Sequence, residues 1–347
     1  MLGNVRLLKT ISSRCPLLEV FSYQKIQLSL PLAAWSAREK AMKPAQIFIL
    51  TLVAMIAFAG NSLLCRLALK QTSIDAASFT FIRIFSGATA LWLIMRIRRR
   101  LMDDRTVSPL VERSPNSSPP VTRHSSPLQA GNWPSALALF AYAAAFSFAY
   151  NSLSAGTGAL LLFGAVQATM IVWGLRKGER LHAIQIVGLV VALSGLVLLL
   201  FPGLSAPPLS QSILMLGAGV AWGVYSLRGK GERNPASATA GNFLRAVPFA
   251  AIVSLISLPS VSLDRTGIGY AVLSGAIASG LGYIIWYTAL SGLKATSAAT
   301  VQLSVPVLAA TGGILLLGEP ITFRYFVASI AVLGGIALVA LEKNRAL

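Results

Sequence analysis

Carboxylates are scarce in this 347-residue chain: eleven Asp and Glu stand against 29 Lys and Arg, and none of the eleven falls deep within an apolar run. Proton-coupled exporters of cationic drugs need a buried carboxylate for which proton and drug compete, so that class is excluded. Cysteine is nearly missing. Cys15 and Cys65 are the two present, too few for a disulfide framework. Histidine is as rare: His124 lies in a polar stretch, and His182 is read as interfacial. With no clustered ligands a metal centre is not expected, and no cofactor is implied. No catalytic triad or phosphate loop is found either, so the chain does not read as an enzyme. Charge of any kind is low, at 12% against about 25% in soluble domains. That excludes a water-soluble fold of this size.

Apolar sequence fills the space that charge leaves. Hydrophobic residues make up 55% of the chain, and mean hydropathy is +0.71. Ten apolar runs, near 46–66, 76–96, 133–151, 157–175, 183–201, 211–228, 238–257, 268–287, 295–316 and 323–341, are close to the length a helix needs to cross a hydrocarbon core about 30 Å thick. They are too long, and alternate too little, for an outer-membrane barrel. The expected fold is all-α and integral to the membrane. The net charge of +18 does not indicate nucleic acid, because the cations cluster in short connectors. "RIRRRLMDDR" follows run 2, "RKGER" run 4 and "RGKGER" run 6, whereas "FPGLSAPPLSQ" after run 5 carries no charge. The positive-inside rule then places both termini in the cytoplasm, in a multi-pass protein of the cytoplasmic membrane. Arg66, Lys70 and Arg324 are exceptions to that bias.

Two stretches lie apart from the runs. Residues 1–41 are basic and contain no spanning run, and Met42 opens a natural approach to run 1. An over-extended start and a membrane-surface or targeting segment both remain open. The connector from about 98 to 132, with "SPNSSPP" at its centre, is rich in Ser and Pro and is expected to be a disordered cytoplasmic loop.

The chain also repeats itself. "GERLHAIQIVGLVVALSG" begins at Gly178 and "GEPITFRYFVASIAVLGG" at Gly318; each opens Gly-Glu and closes on a small pair, Ser194-Gly195 and Gly334-Gly335. Phe81-Ile82-Arg83 in run 2 matches Phe243-Leu244-Arg245 in run 7. Five runs per half is an odd number, so the second copy enters from the opposite side. The expected organisation is therefore a first repeat over 42–203 and an inverted second repeat over 204–347, the architecture behind alternating access in many carriers.

In this order and spacing the motifs "GNSLLCRLAL", "SFTFIR", "GERLHAIQIVGLVVALSG", "AWGVYSLRG", "GNFLR", "ATVQLSVPVLAATGGILLLGEPIT" and "ASIAVLGGIAL" resemble the drug/metabolite transporter superfamily, and within it the EamA-type ten-helix carriers. The likeness covers roughly residues 46–342. It implies a secondary transporter of small organic metabolites such as amino acids or organic anions, more often an exporter, and a homodimer is compatible with it. One departure is visible: run 9 carries Pro306 ahead of the second Gly-Glu, while run 4 has no proline.

Candidate binding residues are polar groups that an apolar run does not need. Arg83 and Arg245 lie about seven residues into their runs, and an arginine there costs at least about 2.5–3.5 kcal/mol unless paired or hydrated. Each either faces a wet cavity and attracts a carboxylate or phosphate, or fixes packing by donating to helix carbonyls. Asn61, Gln167, Trp222, Tyr225 and Gln302 are the softer candidates, with interhelical hydrogen bonding as the plainer role. Pro306 frees the carbonyl of Gln302, which favours Gln302. Trp286 and Tyr287 are further candidates to line a midplane cavity, and, close to a run's end, they read alternatively as interfacial belt aromatics. Gly195 and Gly335 read as packing residues, and Glu179 and Glu319 as acids favourable at a helix start. Besides an exporter with a small-molecule substrate, a facilitator or lipid-headgroup flippase remains open, with the arginines handling phosphate. An intramembrane enzyme would need a nucleophile and base together, and a sensor a long soluble domain.

Overall fold

The computed structural model describes residues 42–106, 130–153, 155–178, 180–200, 208–232, 234–317 and 323–342. Residues 1–41, most of the Ser/Pro-rich connector, Glu179 and Glu319 lie outside them. Every regular element among the described residues is helical. In chain order they are α1 (Pro44–Gln71), α2 (Ala76–Thr106), α3 (Trp133–Tyr150), α4 (Ala155–Arg176), α5 (Ala183–Leu200), α6 (Leu209–Gly229), α7 (Pro235–Ile256), α8 (Arg265–Leu273), a π-helical segment Ser274–Leu281, α9 (Gly282–Leu290), α10 (Ala295–Gln302), α11 (Ser304–Leu317) and α12 (Phe323–Glu342). A single 3₁₀ turn, Leu258–Ser260, follows α7.

The helix starts follow from local chemistry. Asn132 and Asn234 each precede a proline in the first turn, and their side chains accept from the amides of Ser135 and Ser237. A proline there loses no helical hydrogen bond, since its missing N–H would be unpaired anyway. Asp264 caps α8 by accepting from the Gly267 amide. α2 runs to Thr106, past the point where a loop was expected to begin. Arg, Leu and Met are good helix formers, and no Gly or Pro interrupts Arg96–Thr106.

Among the described residues, five helices are long and apolar enough to cross a membrane: Pro44–Gln71, Ala76–Arg98, Trp133–Tyr150, Pro235–Ile256 and the continuous rod Arg265–Leu290 formed by α8, the π segment and α9. The packing has the polarity of a membrane protein. Phe48, Ile56, Val190, Ile256, Phe326 and Ile330 are more than half exposed, whereas Arg83, Gln167, Gln302, Ser226 and Thr239 are buried. Apolar groups cover the outside because lipid tails are their solvent; polar groups turn inward because only protein can satisfy them there.

Neighbouring helices pair α5 with α12, α3 with α6 and α7, α4 with α6 and α10, and α2 with α7 and the π segment. Glycines set the closest approaches. A Cβ at Gly335 would meet the Gly188 carbonyl and Ala192, so α12 and α5 touch backbone to backbone. At one end of the bundle, the Asp75 amide donates to the Ser262 carbonyl (3.1 Å) and the Ser262 amide to Asp75 Oδ2 (3.0 Å). At the other end, Arg228 donates to Ser135 Oγ (2.9 Å) and Asn132 Oδ1 (3.0 Å), and the Asn132 amide to Asn242 Oδ1 (3.0 Å).

Candidate functional site

Arg83 lies at the centre of the described bundle, 1% exposed. Its Nε donates to Ser279 Oγ (3.1 Å), and one terminal nitrogen donates to the hydroxyls of Tyr283 (2.9 Å) and Tyr142 (3.3 Å). The guanidinium carbon sits 5.3 Å from the Tyr142 ring centroid and 5.7 Å from that of Phe146, within cation–π range. The other terminal nitrogen, NH1, is buried without a hydrogen-bond partner. Leaving a buried charged donor unmet costs at least about 1–3 kcal/mol. All of Arg83's hydrogen-bond partners are neutral.

The π segment builds this arrangement. Its sequence, Ser274-Gly-Ala-Ile-Ala-Ser-Gly-Leu281, is nearly all small residues, which lets α2 press against it. A Cβ at Gly275 would collide with the Arg83 carbonyl and Ser86 Oγ, and one at Gly87 with Phe243. That contact brings Ser279 and Tyr283 of the rod up to Arg83. A π turn displaces the side chains that follow it relative to an α-helix, and such turns occur frequently at functional sites.

Aromatic rings extend the cluster. Trp222 packs at 4.8 Å from Tyr283, 4.9 Å from Tyr142 and 5.2 Å from Phe58. Tyr225 lies 5.9 Å from Trp222 and 6.2 Å from Tyr283. Trp222 Nε1 donates to Gln302 Oε1 (2.6 Å), and Gln302 Nε2 donates to the Ala298 carbonyl and Met170 sulfur, both at 3.3 Å. Gln302 is the last residue of α10; the helix breaks at Leu303 and resumes at Ser304, with Pro306 buried in the new first turn. Asn61 accepts from Ser274 Oγ (2.5 Å) and donates to the Tyr142 hydroxyl at 3.5 Å.

Of the residues singled out in the sequence, Arg83, Asn61, Trp222, Tyr225 and Gln302 thus join one network. Gln167 is buried beside it on α4, donating to Thr300 Oγ1 on α10 at 3.5 Å. Arg245 is placed elsewhere. It is half-buried and donates to the carbonyls of Ala130 (2.6 Å) and Gly241 (3.0 Å), with its guanidinium 6.0 Å from the Trp133 ring. It ties α7 to the start of α3. The belt reading of Trp286 and Tyr287 is corrected: both are buried, donating to Ser226 Oγ (3.4 Å) and the Tyr225 carbonyl (3.1 Å). Glu179 and Glu319 lie outside the described residues. Tyr142, Tyr283, Ser279 and Phe58 are central residues that sequence reasoning missed. A tyrosine well inside an apolar run was the one signal for Tyr142 and Tyr283, since a buried phenol usually needs a hydrogen-bond partner.

Residues 209–341, from α6 to within α12, match the model of the EamA-like transporter family. The uncharacterized protein PA1977 of Pseudomonas aeruginosa is 53% identical over 298 residues, which cover 86% of this chain and 96% of that one. The threonine/homoserine exporter RhtA of Salmonella typhimurium is 33% identical over 158 residues, 43% of this chain and 52% of RhtA. A protein of known crystal structure superposes with a TM-score of 0.64 at 16% identity, covering 86% of this chain and 99% of that one, a likeness of fold alone.

Proposed function

We infer the activity from kinship: the chain belongs to the EamA-like transporter family, its helices place it in a membrane as a multi-pass protein, and its cargo is a small organic metabolite. The observation that carries the reading is the buried network around Arg83, in which α1, α2 and α3 meet α6, the π-bearing rod and α10. A charged and amide-rich cluster in the middle of a lipid-facing bundle is costly, and such groups mark substrate pathways.

In this reading ten membrane crossings form two inverted five-helix repeats, with α8–α9 and α10–α11 each counted as one crossing. Part of the helix packing supports it: α3 with α7 corresponds to the rod with α2. Single contacts of α1 lie where the two-fold would put them, Asn61 against Ser274 of the rod and Leu63 against Gly312 of α11. α2–α7, α4–α10 and α5–α12 map onto themselves. Such pairing suits rocking of one half against the other around the central network, opening each side in turn. The cationic connectors favour an orientation with both termini in the cytoplasm.

Export is favoured over import by the likeness to an exporter of threonine and homoserine, which spans about half of that relative. Catalysis has no place in this reading, and the small-molecule substrate and the bilayer are the partners it requires. The test is counterflow in proteoliposomes holding the full chain, with labelled amino acids and organic acids, with and without a pH gradient. Saturable exchange indifferent to the gradient is the expected result. Gradient-driven flux of cationic drugs would overturn it, because it needs a carboxylate site the network does not contain.

A further inference from the structure

We infer that the Arg83 cluster receives a single carboxylate group of the transported molecule; this rests on the transport reading above and narrows its cargo. Three observations carry it. First, Arg83 is the charged group of the cluster, and its hydrogen bonds go to the neutral oxygens of Ser279, Tyr142 and Tyr283. A guanidinium stays protonated at any physiological pH, so the site keeps a positive charge that these partners do not neutralise. Second, NH1 is buried and unpartnered beside a terminal nitrogen already held in place. The guanidinium is therefore fixed in orientation, with one arm left over, and a charged carboxylate oxygen makes a stronger hydrogen bond to that arm than any neutral acceptor does. Third, a phenol that accepts from a guanidinium keeps its own proton for another acceptor. Tyr142 and Tyr283 also hydrogen-bond each other, which uses one of their two protons and leaves one at the edge of the cation.

Charge matching sets the valence. Arg245, the other arginine of the repeated motif, donates to the Ala130 and Gly241 carbonyls at one end of the bundle. One central guanidinium, with the Phe146 ring beside it and the Phe58, Phe243 and Trp222 rings packed on its partner Tyr283, balances one negative charge. A dicarboxylate or phosphate monoester would bring a second charge into apolar surroundings with no partner. NH1 is enclosed in this conformation, so the carboxylate reaches it when the helices around the π segment part.

The carboxylate can belong to an amino acid or to an acid without an ammonium group, and the test separates them. The full chain in proteoliposomes is assayed for counterflow and cross-competition with L-threonine, L-homoserine, 2-hydroxybutyrate, threoninamide, succinate and glycerol 3-phosphate. Threoninamide keeps the ammonium and loses the carboxylate. Expected is exchange of threonine, homoserine or 2-hydroxybutyrate, with threoninamide, succinate and glycerol 3-phosphate weaker by about tenfold or more. Arg83→Gln should raise the half-saturation concentration about 10- to 100-fold, the worth of a hydrogen bond to a charged group, and flatten the preference for acid over amide. Tyr283→Phe, which keeps the ring packing, should weaken the acid several-fold without touching the amide. It serves as the probe if Arg83→Gln does not fold. Exchange of threoninamide or succinate as rapid as that of the monocarboxylates would overturn the carboxylate site and leave the transporter standing. A folded protein that exchanges no member of the panel would overturn the transport reading itself.

Discussion

Replacing Gly275 by alanine adds one methyl group, and the structure places that methyl where α2 already is. The built Cβ collides with the Arg83 carbonyl and Ser86 Oγ. A backbone carbonyl in the middle of a helix cannot rotate away, so the rod and α2 must separate. Overpacking of this kind typically costs about 1–3 kcal/mol. The same separation lengthens the bonds from Arg83 to Ser279 (3.1 Å) and Tyr283 (2.9 Å), which cross that contact. The control is Gly269 in α8 of the same rod, where an added Cβ meets nothing within 4 Å. There alanine should be neutral or stabilise by up to about 1 kcal/mol through helix propensity alone. Apparent Tm of the detergent-purified full chain, read beside proteoliposome exchange, gives both quantities. Gly275→Ala should melt several degrees lower and lose most exchange, while Gly269→Ala keeps both. If the two variants melt and exchange alike, the close contact that organises the Arg83 cluster is not real, and the site built on it falls.

Two further outcomes follow from the same geometry. Trp222→Phe keeps the ring contacts with Phe58 and Tyr283 but removes the 2.6 Å bond to Gln302 Oε1; the orphaned oxygen should cost about 1–3 kcal/mol in thermal unfolding, and adding Gln302→Leu should recover part of it, because two apolar partners cost less than one unmet acceptor. At Asp75, burial pushes the carboxyl pKa up, but N–H donors from Ser78, Ser262 and Ala77 outweigh it and hold the pKa below its ordinary value. A depressed folded-state pKa gives stability that is fully present above the unfolded value of about 3.9 and is lost as pH falls through the folded value. Wild-type apparent Tm should therefore fall more steeply below about pH 4 than that of Asp75→Asn, which should melt lower at neutral pH; parallel curves would show that the cap bonds do not couple to the titration.

The sequence made some of these residues readable and hid others for physical reasons. Asn61, Arg83 and Gln302 stood out because a strongly polar side chain in an apolar run needs a partner, whichever partner it finds. Phe58 and Ser279 did not, because an aromatic or a small hydroxyl in such a run looks like packing. The π segment is hidden for a related cause: across Ser274–Leu281 the side chains are so small that a shift in helical phase leaves no trace in the hydrophobic pattern. For Trp286 and Tyr287 nearness to a run's end left a cavity and an interface both open; what buries them is the face they present, which packing with α6 decides. The break in α10–α11 was half visible. Pro306 announced lost hydrogen bonding at Gln302, but that Trp222 would bond the same residue depended on contacts eighty positions apart.

The two matched arginines bear on what a repeated fold can and cannot dictate. Phe81-Ile82-Arg83 and Phe243-Leu244-Arg245 occupy corresponding helices in the two-fold we propose, and α2 packs against α7. Backbone symmetry alone would give both cations the same surroundings. Their neighbours prevent it. Arg83 faces two phenols and a serine. Arg245 faces the Ala130 carbonyl next to Gly131, whose φ of +74° turns the chain into the Asn132 cap. A carbonyl only accepts and has no proton to offer, so Arg245 ends as a strut at one end of the bundle. A phenol accepts and can still donate, so Arg83 ends with spare capacity on both sides of its hydrogen bonds. In the two-fold we propose, duplication supplies two copies of a scaffold to rock, and divergence of the residues around one copy leaves Arg83 as the charge at the pivot, where a cargo with one matching charge would neutralise it.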